Sequence, residues 1–125
     1  MQVPEVETQF SITGIGVDVV LIERITRVRS RHDLLAHVCA PDEQVQGVDD
    51  LTAAKLWAGK EAIAKCLGSG FWQQGVDWTD VRLGPDFVVR LYGRAAELAG
   101  GDTFSLTFTQ HAGHLLAVAI RSARS

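Results

Sequence analysis

Three residues near the middle of the chain could take part in chemistry on a charged substrate. Glu61 and Lys65 are four positions apart, and Trp57 comes four positions before Glu61. Residues at this spacing share one face of a helix, so a carboxylate, an ammonium group and an aromatic ring would line up. The same spacing is also typical of an ordinary surface ion pair beside a half-buried tryptophan. These three residues alone do not distinguish the two interpretations.

A second acidic residue, Asp18, stands within the apolar run from Ile12 to Val20. A carboxylate is costly to bury unless hydrogen-bond donors or a cation lie beside it. Together with Glu61 from another element, Asp18 would make a Mg²⁺ site of the kind used in phosphoryl chemistry, with positions left for phosphate oxygens and water. The alternative is that Asp18 caps the strand or belongs to the first turn of the next helix, without a metal.

The arginines of this acidic protein are concentrated in one segment. The formal net charge of the chain is −3, which gives no general reason to expect nucleic-acid binding. Residues 21–32 nevertheless carry +3, because one acidic residue, Glu23, stands among Arg24, Arg27, Arg29 and Arg31. Such a segment is either a solvated helix face or a surface that attracts an acidic partner.

Other motifs give weaker signals. Gly14 and Gly16 lack the third glycine and the βαβ setting of a dinucleotide-binding fingerprint. Glycines at 68 and 70 are typical of a helix stop, and less often of a phosphate cradle. His111 and His114 have no obvious cysteine or carboxylate partner nearby in sequence, so we do not expect a zinc site.

The elements that must position these residues alternate between strands and helices. The periodicity predicts a strand over Ile12–Val20, a helix over about 21–31 and a short helix near 33–38. The clearest helix is Ala53–Leu67, with Thr52 as N-cap and Gly68 as the terminating glycine. A hairpin around 84–86, a helix at 93–99 and two strands at 103–109 and 115–121 follow. We therefore predict an α+β domain with a long central helix packed on an antiparallel sheet.

Length and composition fit one globular domain. The chain has 125 residues, of which 46% are hydrophobic, so we expect a single compact domain over 10–125 and a flexible N-terminal extension at 1–9. No apolar run reaches the length needed to span a membrane, and the first residues are acidic and polar, which predicts a cytoplasmic protein. Cys39 and Cys66 lack metal-ligand spacing and are expected to be reduced thiols.

Three stretches in order resemble the holo-acyl-carrier-protein synthases, the small group of the 4′-phosphopantetheinyl transferase superfamily. The first is GIGVDVV at 14–20 followed by IERI at 22–25, and the second is WAGKEAIAKCLGSG at 57–70. The third is Ser105-Leu106-Thr107 with the apolar run at 117–120. The second stretch is similar to the WxxKExxxKxxGxG helix and loop of that family and is the most specific of the three.

The resemblance implies an enzyme that transfers 4′-phosphopantetheine from coenzyme A to a serine of an apo acyl carrier protein. Asp18 and Glu61 would hold Mg²⁺, and Lys65 would contact phosphate at the reacting centre. The expected coenzyme A contacts are Lys60, Lys65, Gly68, Ser69, Gly70 and Thr107. The basic segment would face the acidic helix of the carrier through Arg24, Arg27 and Arg31.

In the implied reaction the serine hydroxyl attacks the β-phosphate of coenzyme A and releases adenosine 3′,5′-bisphosphate. The proton acceptor is either Glu61 or a water molecule held by the metal, and the sequence does not choose between them. The resemblance also implies a homotrimer with active sites between subunits. A non-catalytic family member that binds a carrier protein or coenzyme A is the alternative. An unrelated α+β binding domain is a third hypothesis.

Three features depart from the family pattern, and one of them is the hairpin around 84–86, which is shorter than the usual family version. Phe108 stands where the family commonly has a histidine that contacts coenzyme A, and Gly59 occupies a mid-helix position more often filled by alanine. A glycine inside a helix costs about 1 kcal/mol relative to alanine. We therefore expect the nucleotide pocket, rather than the metal site, to differ from that of typical members.

Overall fold

The computed structural model describes residues 10–68 and 75–124. The predicted extension at 1–9, together with Ser69 and Gly70, lies outside the described residues. Five strands and four α-helices are described, which confirms the predicted α+β class. In chain order they are β1 (Phe10–Leu21), α1 (Ile22–Arg29), α2 (Leu34–Val38), α3 (Asp50–Cys66), β2 (Val81–Leu83), β3 (Val89–Leu91), α4 (Gly93–Ala99), β4 (Thr103–His111) and β5 (His114–Arg124). Two short 3-10 helices occupy Pro41–Glu43 and Trp78–Asp80.

Helix α3 begins earlier than the sequence predicted. Asp49, not Thr52, is the N-cap: its carboxylate accepts a hydrogen bond of 2.8 Å from the Thr52 backbone N–H. An aspartate satisfies a free N–H of the first turn and also favours the positive end of the helix dipole. The C-terminal prediction is confirmed, because Gly68 has a φ of +81°, a conformation in which glycine carries no steric penalty.

Helix α3 covers one face of an antiparallel three-stranded sheet with the order β1-β5-β4. Leu115, Ala117 and Ala119 of β5 point toward the helix and are fully buried. They pack against the small side chains of α3, among them Ala58, Ala62 and Ala64. The central helix and its antiparallel sheet are therefore as predicted.

The opposite side of this sheet, called here the outer face, is apolar. On β1 it carries Ile15, Val17 and Val19, which are 62%, 44% and 57% exposed. The register places these residues beside Ile120, Val118 and Leu116 of β5. An apolar face that is exposed across two neighbouring strands is typical of a surface for association.

The predicted hairpin and the two unpaired cysteines are also found in the structure. Strands β2 and β3 form the predicted hairpin, with Arg82 opposite Arg90. Cys39 and Cys66 are free, buried thiols. Among the described residues, no helix is both long and apolar enough to cross a bilayer.

Candidate active site

Asp18 and Lys65, which are 47 positions apart in sequence, form an ion pair between β1 and α3. The Lys65 ammonium donates to Asp18 Oδ1 at 2.9 Å and to the backbone carbonyl of Val17 at 3.0 Å. The Asp18 side chain is 15% exposed, whereas that of Lys65 is 49% exposed. The aspartate is thus anchored in the fold, while the lysine remains accessible to a ligand.

Glu61 lies one helical turn before Lys65 and is half-buried. Burial raises the pKa of Glu61 above its ordinary value, the negative charge of Asp18 raises it further, and the Lys65 ammonium opposes both effects. Glu61, Asp18, Arg24 and Trp57 all line one open cavity of about 560 Å³, called here the acidic cavity. The structure therefore brings together the two carboxylates and the lysine that the sequence singled out.

The acidic cavity suits a small divalent cation. Two carboxylates from separate elements share it, and the charge of Asp18 adds to the larger effect of burial in raising the pKa of Glu61. Mg²⁺ prefers such oxygen donors and usually takes one or two carboxylates, with phosphate and water oxygens completing its coordination. Among the described residues, no three His, Cys, Asp or Glu side chains stand together as a metal site. The metal hypothesis thus rests on Asp18, Glu61 and the oxygens of a bound substrate.

Gly16 allows β1 and α3 to approach each other at this site. A Cβ at Gly16 would stand 1.9 Å from the Ala62 carbonyl oxygen and 2.8 Å from the Cys66 backbone nitrogen. Any side chain there would push the strand away from the helix, and with it Asp18 away from Lys65. Sequence reasoning missed this role. The signal was the alternation of glycines at 14 and 16 with the apolar residues of the outer face.

The expectation that Lys60 contacts coenzyme A is wrong for this fold. Its side chain is 0% exposed, and its ammonium donates to Glu43 Oε1 at 2.8 Å. It also donates to the carbonyls of Trp78, at 3.2 Å, and of Val81. Because α3 turns Lys60 about 100° away from Glu61, the ammonium points into the core and not toward the acidic cavity.

Glu43 completes the buried network around Lys60. It accepts hydrogen bonds from the backbone N–H groups of Ala40, at 2.8 Å, and of Leu83, at 3.1 Å. Buried charges are tolerated when they are paired and their remaining hydrogen-bonding capacity is satisfied. Nothing in the sequence pointed to Glu43, since it lies in a different element, 17 positions from Lys60.

The arginines of the basic segment have different surroundings. Arg24 lines the acidic cavity. Arg27 is mostly exposed and pairs with Glu23 at 3.2 Å, whereas Arg29 is tied to Asp50 at 2.8 Å and to the carbonyl of Val48. Arg31 lines a separate depression beside α2. Of the three arginines assigned to carrier binding, Arg24 is therefore the one placed beside the candidate reacting centre.

Another expected coenzyme A contact, Thr107, does not lie beside the acidic cavity within one chain. Thr107 is exposed and lies opposite Val118, on the outer face of the sheet, whereas the acidic cavity lies on the side of α3. Gly68 follows the end of α3, and the structure does not describe Ser69 and Gly70. Thr107 could meet the acidic cavity only if it came from another copy of the chain.

Two of the departures from the family pattern, Gly59 and Phe108, lie against each other. A Cβ at Gly59 would stand 3.3 Å from the Phe108 ring and 3.2 Å from Leu106 and Leu83. The Phe108 ring also meets Phe87 edge to face, with centroids 5.1 Å apart, and Lys55 lies 5.7 Å from its centroid. Phe108 therefore packs between the sheet and α3, and Gly59 leaves the space that the larger ring needs.

Comparison with known proteins gives one consistent result. Residues 14–119 match the family model of the 4′-phosphopantetheinyl transferase superfamily. The holo-[acyl-carrier-protein] synthase of Hydrogenovibrio crunogenus is 34% identical over 127 residues, which cover 91% of this chain and 99% of that protein. The corresponding protein of Edwardsiella ictaluri is 39% identical over 99 residues, covering 71% of this chain and 78% of its own length.

Solved structures agree with this likeness. The chain superimposes on the holo-[acyl-carrier-protein] synthase of Neisseria meningitidis with a TM-score of 0.71 and 27% identity, covering 89% of this chain and 98% of that one. The Helicobacter pylori protein of the same name, solved in complex with coenzyme A, gives a TM-score of 0.71 at 25% identity and covers 86% and 98%. The match extends over almost the whole of each solved chain.

Proposed function

Because this chain belongs to the 4′-phosphopantetheinyl transferase superfamily, among the holo-acyl-carrier-protein synthases, we propose that its acidic cavity is the site of a Mg²⁺-dependent transfer. The substrates are coenzyme A and a serine of an apo acyl carrier protein. The observation that carries this proposal is the cluster of Asp18, Glu61 and Lys65, which joins β1 to α3 around one open cavity.

Asp18 and Glu61 are the residues that would hold Mg²⁺. When bound, the ion supplies positive charge to the oxygens of the pyrophosphate, which lowers the cost of charge development during phosphoryl transfer. Asp18 is held in place by the Lys65 ammonium at 2.9 Å, so its carboxylate is oriented before any ligand arrives. Preorganised charges of this kind need little rearrangement during the reaction.

Lys65 has a second role, because its side chain remains 49% exposed. An ammonium has three donors, and here two of them are used by Asp18 and the Val17 carbonyl. The third can donate to a phosphate oxygen of coenzyme A. Lys65 would therefore stabilise negative charge at the reacting phosphorus while keeping its bond to Asp18.

The bond changes balance without a further reactant. The serine oxygen forms a bond to the β-phosphorus, and the bond from that phosphorus to the bridging oxygen breaks. Adenosine 3′,5′-bisphosphate leaves, and the serine proton passes to Glu61 or to a water molecule beside it.

The carrier protein would approach along α1. Arg24 is exposed and also lines the acidic cavity, so an acidic carrier helix at α1 would bring its serine near Glu61. Arg27 and Arg31 follow Arg24 in the sequence and would extend the positive surface. Opposite charges on two surfaces chiefly accelerate association and orient the partners.

We also propose a homotrimer that buries the outer face. Six apolar residues form that face, and an exposed patch of this kind is typical of an association surface: Ile15, Val17, Val19, Leu116, Val118 and Ile120. Thr107, next to Val118, would then lie at a boundary between copies. A chain that sediments as a monomer at micromolar concentration would contradict this assembly.

The proposed place of action is the cytoplasm, which agrees with two buried reduced thiols and is tested by cell fractionation.

The transfer itself is tested by mass spectrometry of an apo acyl carrier protein after incubation with this protein, coenzyme A and Mg²⁺. We expect a gain of about 340 Da, the mass of the added phosphopantetheine, and no gain with a chelator. Binding of coenzyme A without any gain, with several carriers, would favour the non-catalytic alternative.

A further inference from the structure

Trp57 stands between the acidic cavity and the buried network around Lys60. Its side chain lines the cavity together with Glu61, which lies one helical turn further along α3. Lys60 follows Trp57 by three positions, and residues at either spacing are neighbours on a helix surface. Trp57 is half-buried, whereas Lys60 is fully buried. The Trp57 ring is therefore at the border between the open site and the core.

Trp78 packs against the Trp57 ring. The two ring centroids are 4.6 Å apart, and the ring planes are tilted by 31°. Trp78 begins the short 3-10 helix Trp78–Asp80 and is only 9% exposed. Aromatic pairs at this distance stabilise each other beyond the effect of burial. The orientation of Trp57 thus depends on where the fold holds Trp78.

The Lys60–Glu43 pair holds the backbone of Trp78. The Lys60 ammonium donates to the Trp78 carbonyl at 3.2 Å and to Glu43 Oε1 at 2.8 Å. Its third donor is used by the Val81 carbonyl. Glu43 Oε2 accepts a hydrogen bond of 3.1 Å from the Leu83 N–H. A buried polar network that is satisfied in this way makes the elements that it joins rigid.

We propose that Lys60 and Glu43 are positioning residues for the transfer, an inference that rests on the proposed function. They act through the backbone and ring of Trp78 on Trp57, and the Trp57 ring bounds the space beside Glu61 in which the reacting groups meet. If this wall were free to move, the reacting groups would take a wider range of orientations, and small losses of alignment lower the rate. The pair therefore raises kcat in addition to stabilising the fold.

Two variants interrupt this series of contacts at different points. Lys60→Met removes the ammonium that holds the Trp78 carbonyl, whereas Trp78→Leu leaves the ion pair in place and removes the ring beside Trp57. The second variant keeps the inference testable if the first does not fold. Arg121→Met is the matched control, because it breaks another largely buried ion pair, with Asp102 at 2.7 Å, between β5 and the connection from α4 to β4.

Each variant is compared with the natural chain at a temperature where circular dichroism shows that both are folded. Initial rates of transfer give kcat and the KM for coenzyme A, and the dichroism of the two interacting indole rings reports their arrangement. We expect Lys60→Met and Trp78→Leu to change this ring signal and to lower kcat about tenfold, with the KM for coenzyme A unchanged. Arg121→Met should lower the midpoint of urea denaturation but leave kcat and the ring signal as they are.

Three results would overturn the inference. A folded Lys60→Met or Trp78→Leu protein could transfer with the natural kcat, which would leave the ion pair a purely stabilising role. The KM for coenzyme A could rise while kcat stays the same, which would indicate a contact with the ligand. Arg121→Met could lower kcat as much as the other two, which would show that any destabilisation slows the transfer. A natural chain that modifies no carrier protein would instead refute the proposed function, and this is observed without any variant.

Discussion

Gly16 lies against Ala62 so closely that a Cβ on the glycine would stand 1.9 Å from the alanine carbonyl oxygen. This contact fixes the spacing of β1 and α3, and the same two elements carry Asp18 and Lys65. The contact is between backbones, so neither partner can relieve a clash by changing rotamer. The geometry of the candidate active site is therefore coupled to a position that bears no functional group.

Gly16→Ala should accordingly impair both folding and transfer. We expect a loss of about 1–3 kcal/mol in the free energy of unfolding, typical of overpacking, and a fall in kcat because Asp18 moves relative to Glu61. Gly14→Ala is the matched comparison, since its Cβ would be 3.2 Å from the nearest atom. Urea denaturation and initial rates of transfer measure the two effects. Equal behaviour of the two variants would refute the argument from close approach.

The sequence predicted the elements well because their signals are local. The long helix follows from its composition and terminating glycine, and the sheet strands follow from apolar runs between turns. The predicted N-terminus of α3 was three residues too late, because Asp49 and Thr52 are both good capping residues. Only the fold shows that the Asp49 carboxylate accepts a hydrogen bond from the Thr52 N–H.

The candidate site was predictable only in part. The spacing of Glu61 and Lys65 and the apolar surroundings of Asp18 were visible in the sequence. The burial of Lys60 was not, because its partner Glu43 comes from a 3-10 helix whose position depends on long-range packing. Similarly, no local pattern could show that Phe108 and Gly59 fit each other.

The burial of Lys60 predicts that its role is structural. Lys60→Met should destabilise the fold by about 3–5 kcal/mol, the usual cost of leaving one partner of a buried ion pair uncompensated. Arg27→Met removes an exposed pair with Glu23 and should cost less than about 1 kcal/mol. Chemical denaturation measures both losses. A stable Lys60→Met protein with a greatly raised KM for coenzyme A would instead restore the lysine as a ligand contact.

The different surroundings of the arginines predict unequal effects on carrier binding. Arg24→Ala should raise the KM for the carrier protein about tenfold and reduce the salt dependence of the rate, because Arg24 both lines the acidic cavity and faces solvent. Arg27→Ala should have a smaller effect, since Glu23 already partly neutralises Arg27. Initial rates at several carrier and salt concentrations separate the two. A larger effect at Arg27 would contradict the proposed approach along α1.

Stability at alkaline pH should depend on Cys39. Burial raises the pKa of this thiol to about 11 from an ordinary value of 9.0. The thiol in the unfolded chain ionises first, so its contribution to stability is complete below pH 9.0 and is lost as the pH rises through about 11. Urea denaturation at a series of pH values in this range measures the free energy of unfolding. This free energy should fall more steeply with pH for the natural chain than for Cys39→Ala. Parallel declines would show that the buried thiol is not responsible.

The most direct test of the proposed active site is the rate at which the Glu61→Gln variant transfers phosphopantetheine in the presence of Mg²⁺. The rate is measured from the increase in mass of the carrier protein. Glu97→Gln is the matched control, because Glu97 lies on α4 and pairs with Arg94 at 2.9 Å. We expect Glu61→Gln to remain folded and to lose at least about 100-fold in rate, while Glu97→Gln keeps the natural rate. A folded Glu61→Gln protein that transfers at the natural rate would contradict the assignment of the acidic cavity as the active site.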